Sequence, residues 1–319
     1  MLNGFPLIYP DELLYSVIAR YHIRNAYKSF QQSDMELFGY ASHQMYRVIL
    51  PCNLNHLVRE IRLHLFYELN INDLIYHHTL YPFYASFLPP QEALLLKNYM
   101  EQKANVSLSE ILKYPRNNKE EAKTFLKFCL YCIEEDTQKY GEPYWHRFHQ
   151  IPGVIACPIH RIPLNNSLVP IETKEIHYHT PSEKNCPLNT STTIYNDETL
   201  QKLLVFANDI EWLINNNFTF QGLSWLRSQY KTYLTNKNFI TVFSKDKFIF
   251  HEQEFYNAVL AYYGQDFLEA INPKRIKNPD KYLSNCLLAC DLNPIIDRVM
   301  HILLIKFLAN SIEDFFKAQ

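Results

Sequence analysis

The chain has 319 residues, 47% of them hydrophobic and 15% aromatic, with a net charge of −2. This composition excludes a disordered chain, and the length exceeds what one compact core usually takes, so two or three domains are expected. No apolar run reaches the roughly 18–20 residues that span a bilayer.

The opening "MLNGFPLIYP" has neither the basic nor the apolar region of a secretory signal. Seven cysteines, an odd count without the spacing of a small secreted scaffold, point to a reducing cytoplasm. A protein that holds DNA by bulk electrostatics is usually basic, so at this net charge any nucleic-acid contact has to use local basic patches. With 6 glycines and recurrent helix-period apolar spacing, a mainly α protein is expected.

In chain order, "PDELLYSVIARYHIRN" (10–25) predicts a helix with Pro10 at its first position and Asp11 and Glu12 in its first turn, where the dipole favours acids. Leu14, Val17, Ile18 and Tyr21 share one face of it. A second helix is predicted near 29–38, ended by Gly39. A third follows in "LPCNLNHLVREIRLHL", with Asn53 as its cap and Leu54, Leu57, Ile61 and Leu65 as its stripe. Three short helices fit a helix-turn-helix-like unit and fit any small helical bundle equally well. The aromatic stretch Tyr81, Phe83, Tyr84 and Phe87 reads as a packed irregular segment leading into a helix from Gln91. The polar "YPRNNKEEAK" (114–123) is the first candidate boundary. Further on, "IETKEIHYHTPSEKNCPLNTSTT" (171–193) reads as a strand or two and then a linker. Helical pattern resumes through "DETLQKLLVFANDIEWLINN" and again in "LNPIIDRVMHILLIKFLANSIEDFF", where Asn293 would cap, Pro294 would sit in the first turn and Ile295, Val299, Ile302 and Leu303 would face the core. The expected organisation is an N-terminal helix-turn-helix-like domain (1–115), a central zinc-finger or zinc-ribbon module with short strands (116–192) and a C-terminal helical domain (193–319).

The chemistry sits in that central module. Cys129 and Cys132 are separated by two residues, as are Cys157 and His160, and 24 residues lie between the pairs. Zinc takes four ligands tetrahedrally, and a two-residue gap lets one tight knuckle present two of them. Two knuckles close the shell, leaving no position for a catalytic water, so one structural Zn2+ is expected. The bland alternative is four unrelated core residues. His177, His179 and Cys186 are weaker candidates for a second metal; Cys286 and Cys290, four apart in "NCLLAC", read better as buried small hydrophobes. With no glycine-rich phosphate loop, no G-x-S-x-G, no H-E-x-x-H and no recognisable carboxylate set, a non-enzyme without a small-molecule substrate is expected. Arg20, Arg24, Lys28 and Arg47 near the first helices, and Lys274, Arg275 and Lys277 in "NPKRIKNPDK", are the phosphate-contact candidates, each also readable as a solvated surface charge.

Several phrases together resemble the TnsD/TniQ family, closer to its TnsD branch. They are the opening "YPDELLYSVIARYHIR", then "LIYHHTLYPFYASFL" (74–88), the zinc segment "FCLYCIEEDTQKYGEPYWHRFHQIPGVIACPIHRIPL" (128–164) and "VMHILLIKFLANSIEDFF" (299–316). The resemblance implies a selector of transposition target sites in Tn-seven-like transposons, bacterial, cytoplasmic and nucleoid-associated. Such a protein binds the double-stranded DNA of an attachment site and recruits the AAA+ ATPase TnsC. The alternative within the family is a TniQ-type adaptor that docks on an RNA-guided Cascade complex without reading DNA sequence; a zinc hydrolase is the remaining, enzymatic reading. Carried over residue by residue, the ligands are Cys129, Cys132, Cys157 and His160, while no DNA-reading residue has a motif sharp enough to carry over. TnsD-type site readers usually run longer, with extra C-terminal helical DNA-binding units, so a short member or a truncated one is expected.

Overall fold

The computed structural model describes residues 4–41, 48–65, 68–103, 108–112, 124–171, 177–187, 193–216, 220–244, 247–271 and 297–317. They are mainly helical, with two small antiparallel two-stranded sheets. The chain divides into two compact units, one of Met1–Ala85, Glu92–Ile151 and Ile162–Thr193, the other of Ser86–Gln91, Pro152–Arg161 and Ile194–Gln319.

In the first unit, α1 spans Leu14–Arg24, four residues later than the sequence places it. Asp11 has a φ of 52°, a left-handed conformation that no helix can pass through. It is held there because its carboxylate accepts from the Phe148 backbone N–H at 3.0 Å and from Arg147 Nε at 3.1 Å. The acids of "PDE" therefore serve tertiary partners rather than the helix dipole. α2 (Phe30–Phe38) matches its predicted bounds: Ser29 and Gln32 form a capping box, and Gly39 ends it with a φ of 71°. α3 (Leu54–Leu65) buries Leu54, Leu57 and Ile61. Asn53 precedes it and its carbonyl accepts from the His56 backbone N–H at 3.1 Å, but at a φ of 61° its side chain turns to α2, where Nδ2 donates to the Phe38 carbonyl at 2.6 Å.

α4 (Ile71–His78) is capped by Asn70, whose side chain accepts from the Asn72 backbone at 2.8 Å. The aromatic stretch is not irregular: Tyr81–Ala85 forms α5, with Thr79 Oγ1 accepting from the Tyr81 backbone at 3.2 Å. α6 (Pro90–Glu101) and α7 (Leu108–Ile111) follow. β1 (Phe125–Phe128) pairs antiparallel with β2 (Asn165–Pro170), Lys127 opposite Asn166, and α8 (Leu130–Tyr140) starts directly after β1.

Arg20 lies at the centre of this unit, 1% exposed. Its Nε and one terminal nitrogen donate to the two oxygens of Glu12 at 2.9 and 2.7 Å, and its other terminal nitrogen donates to Glu142 at 2.8 Å. The Leu7 carbonyl accepts at 2.6 Å, and the Tyr9 ring lies 4.1 Å from the guanidinium carbon. Burial outweighs Arg20 at Glu12 and moves that carboxyl above its ordinary range.

In the second unit, α9 (Asp197–Asn215) starts at Asn196, whose side chain accepts from the Thr199 backbone at 2.8 Å. α10 (Leu223–Asn236) leads into a hairpin of β3 (Ile240–Ser244) and β4 (Lys247–Phe250), with Val242 opposite Phe248. α11 (Glu252–Tyr263), α12 (Gln265–Ile271), α13 (Arg298–Ala309) and α14 (Ile312–Lys317) complete it. Val299, Ile302 and Leu303 of α13 are buried as the pattern predicts, while Asn293, Pro294 and Ile295 lie outside the described residues. Asp297 caps α13, accepting from the Met300 backbone at 3.2 Å. Among the described residues no helix is long and apolar enough to cross a membrane.

His301 is buried in this core, its Nδ1 2.8 Å from the Tyr230 hydroxyl and its ring stacked on Tyr230 and Phe87. Burial, helped by the Arg298 charge, brings its pKa down from 6.5 to about 4. Gly153 is needed at a φ of 88°, where a Cβ would also press on Phe206 at 3.0 Å and Ile210 at 3.2 Å.

Two outcomes follow. Glu12→Ala leaves a buried guanidinium short of its bidentate partner and should cost about 3–5 kcal/mol in urea unfolding, whereas Glu198→Ala, at the exposed Glu198–Lys202 pair, should leave the midpoint unchanged. An equal, small effect of both would contradict the assignment. In acid, the unfolded His301 takes a proton near 6.5 and the folded one only near 4. Protons therefore favour unfolding across that window, and stability falls as pH drops through it. His301→Gln should flatten the difference in melting temperature between neutral and acidic buffers.

Candidate metal centre

The two knuckles come together. Cys129 occupies the cap position between β1 and α8, in extended backbone, and Cys132 follows in the first turn of that helix. Sulfur at a helix N-terminus is favoured as thiolate by the dipole. On the second knuckle, the His160 backbone N–H points at Cys157 Sγ at 3.5 Å and the Arg161 N–H donates to the Cys157 carbonyl at 2.8 Å. Arg161 takes a φ of 55°, which closes the turn. His160 Nδ1 lies 3.7 Å from Cys157 Sγ.

The four ligand atoms of Cys129, Cys132, Cys157 and His160 all lie within 4.8 Å of one another, and the three cysteines are buried and form no disulfide. A tetrahedral ion with sulfur at ~2.3 Å and nitrogen at ~2.0–2.1 Å holds its ligand atoms about 3.6–3.8 Å apart. The Cys157–His160 separation of 3.7 Å is already that edge; the wider pairs need only a small contraction. Three soft thiols and one imidazole suit a borderline-soft tetrahedral cation, and among the described residues no carboxylate joins the group. The donor set fits a metal ion held by four protein ligands. β1 and β2 flank the segment, so strand pairing holds the chain on either side of both knuckles. Near the cluster, Lys127 donates from Nζ to the Ile151 carbonyl at 3.1 Å, and burial brings its pKa down to about 7.

The other candidates are not gathered. Among the described residues no further group of three or more such donors converges. The His177 and His179 rings are 6.1 Å apart, and burial pushes the Cys186 thiol up to about 11, away from the thiolate a metal needs. The segment His177–Thr180 also forms no strand. Side chains satisfy its backbone instead: Tyr15 Oη donates to the His177 carbonyl at 2.7 Å and accepts from the His179 N–H at 3.1 Å, while Trp145 Nε1 donates to the His179 carbonyl at 2.6 Å. Cys286 and Cys290 lie outside the described residues.

Of the phosphate-contact candidates, Arg20 is withdrawn into the core, where a phosphate could reach it only by displacing Glu12 and Glu142. Helical spacing alone put it beside Arg24; the acids that claim it come from outside the helix. Arg24 is half-exposed and ion-paired with Glu142, Lys28 is exposed, and Arg47, Lys274, Arg275 and Lys277 lie outside the described residues. Spacing also missed the roles of Glu12 and Glu142, the acceptors that a buried guanidinium needs for its donors and charge.

The family model TniQ matches residues 4–164, and a second model, Tn7-like transposition protein D, matches residues 206–319. The chain is 30% identical over 168 residues to transposon Tn7 transposition protein TnsD of Escherichia coli, a match covering 50% of this chain and 30% of that protein.

Removing one of four ligands should lose most of the ion's contribution to folding. Cys132→Ser is expected to purify without the metal and to melt at a lower temperature than the parent chain, as elemental analysis and calorimetry on the same preparations would show. Full metal content with unchanged melting would contradict the site.

Proposed function

The chain belongs to the TniQ family, and from that premise we propose that it selects target sites for a Tn7-like transposon. The observation that carries this reading is the order of the two matches, TniQ over the first half and TnsD over the last third, in one chain whose four metal donors fall inside the first match. On this reading the chain is a non-catalytic adaptor in the bacterial cytoplasm. It binds attachment-site DNA and recruits the AAA+ regulator TnsC.

The ion proposed for the centre is Zn2+, about one per chain, held by Cys129, Cys132, Cys157 and His160. Bound there it supplies folding free energy alone, because four protein donors fill a tetrahedral shell. That argues against the hydrolase reading, which needs an open coordination position. The second reading, a TniQ-type adaptor docked on a Cascade complex, draws support from the charge balance: the net charge is −2 and Arg20 is committed to internal carboxylates. It places sequence reading in a guide RNA instead.

Selection of bound fragments from the host genome at low salt separates the two. A site reader enriches one locus, and its affinity falls steeply as salt rises; an adaptor without sequence reading enriches none. A chain that binds neither TnsC nor any DNA at low salt would overturn the proposal.

A further inference from the structure

The proposed target selection needs a surface for DNA, and the geometry points to the outward stripe of α3, carried by Asn55, Arg59 and Arg62, as the surface that lies in the major groove of duplex DNA. This inference rests on the DNA-binding reading above and assigns it to particular residues.

α3 buries Leu54, Leu57 and Ile61. Asn55, Arg59 and Arg62 follow one another at i, i+4 and i+7, so they form one stripe along the helix. All three are exposed, and Leu63 next to Arg62 is 57% exposed. Among the described residues α3 is the helix with two exposed arginines; every other helix exposes at most one lysine or arginine. Neither Asn55 nor Arg62 has a hydrogen-bond or ion-pair partner among the described residues. Arg59 does have one, Glu60 at 3.1 Å. That pair joins sequence neighbours on the surface, and exposed pairs contribute little, so a phosphate or base edge can take over the guanidinium without uncovering a buried charge. Glu60 also lies 3.8 Å from His56 and 3.3 Å from His64, four residues before and after it. Two residues apart on a helix, Glu60 and Arg62 point to different sides.

The chemistry of the stripe is that of base reading. In the major groove a guanidinium donates twice to guanine, an asparagine amide pairs twice with adenine, and an apolar side chain meets the thymine methyl. Seven residues separate Asn55 from Arg62, about 10.5 Å of helix, which matches about three base steps of ~3.4 Å. The ~12 Å major groove admits a helix.

α3 is also braced as the second helix of a packed pair. His56 Nδ1 donates to the Leu37 carbonyl of α2 at 3.1 Å, and Asn53 Nδ2 donates to the Phe38 carbonyl at 2.6 Å. At Gly39, where α2 ends, a Cβ would stand 2.7 Å from His56 Nε2. A second helix held against its predecessor is how recognition helices are presented. The connection here, Gly39 to Asn53, is longer than the turn of a helix-turn-helix, so the pair is defined by its packing.

The test uses the full chain with zinc and a random-sequence duplex, titrated over a series of salt concentrations. On random sequence the two guanidiniums bind phosphates. Arg59→Ala with Arg62→Ala should then make the log–log salt slope shallower by about 2, roughly 0.9 for each phosphate no longer neutralised. Asn55→Glu puts a carboxylate in the first turn of α3, where the helix dipole favours it, and should weaken binding by at least about tenfold without lowering the melting temperature. Lys139→Ala with Lys184→Ala removes the same charge at two exposed lysines elsewhere in the unit and should leave the slope near that of the wild type. Circular dichroism establishes that each variant is folded. If the wild type binds and both α3 variants keep its affinity and slope, this face is wrong and the DNA-binding reading stands. If the lysine pair flattens the slope as much as the arginine pair, net charge is the cause and the assignment to α3 fails. If the wild type binds no duplex at low salt, the DNA-binding reading fails and this inference with it.

Discussion

A guanidinium cannot be buried without acceptors for its donors, and Arg20 is 1% exposed. That single requirement organises much of the first unit. It draws the Leu7–Glu12 segment over α1 and brings Glu142, 122 residues away, to the same point. Glu142 also accepts from Tyr9 and Arg24, so the turn after α8 is pinned where the chain heads into Trp145 and Phe148. Burial still leaves the Glu12 carboxyl above its ordinary range. The arrangement contributes uniqueness of geometry more than net stability, since desolvating both charges cancels much of their attraction.

The metal centre works by the same logic with softer groups. Three buried sulfurs and an imidazole within 4.8 Å make poor neighbours as thiols and good ones as ligands. A cation there would join a helix start to a tight turn, in a segment whose sheet has two strands among the described residues. Two-stranded sheets are marginal alone, so a metal is the natural supplement. Four protein donors would fill a tetrahedral shell.

The second unit depends on packing of another kind. α13 is buried over nearly its whole length and His301 inside it is kept neutral by burial, with Tyr230 as its partner. Packing α10 on this core by its Leu226–Tyr230–Leu234 stripe is what leaves its hydroxyl and basic face outward.

The sequence by itself determined the helical class, the bounds of α2 and α9, the core stripe of α3 and the four residues that gather as candidate metal donors. Each of these depends on spacing along a few turns or on a knuckle of four residues, and local rules carry that far. It also carried the family resemblance, because motifs are ordered strings. The tertiary structure decided the rest. The acids of "PDE" looked like a helix start and became the partners of Arg147, Phe148 and Arg20. Asn53 looked like a cap, and its side chain turned to another helix. Arg20 looked exposed beside Arg24 and was buried. The His177–His179 part of "EIHYH" looked like a strand, but Tyr15 and Trp145 satisfy its backbone instead. In every one of these cases the deciding partner lies far along the chain, and a polar group follows the hydrogen bond it can make in three dimensions over the propensity of its neighbours in one.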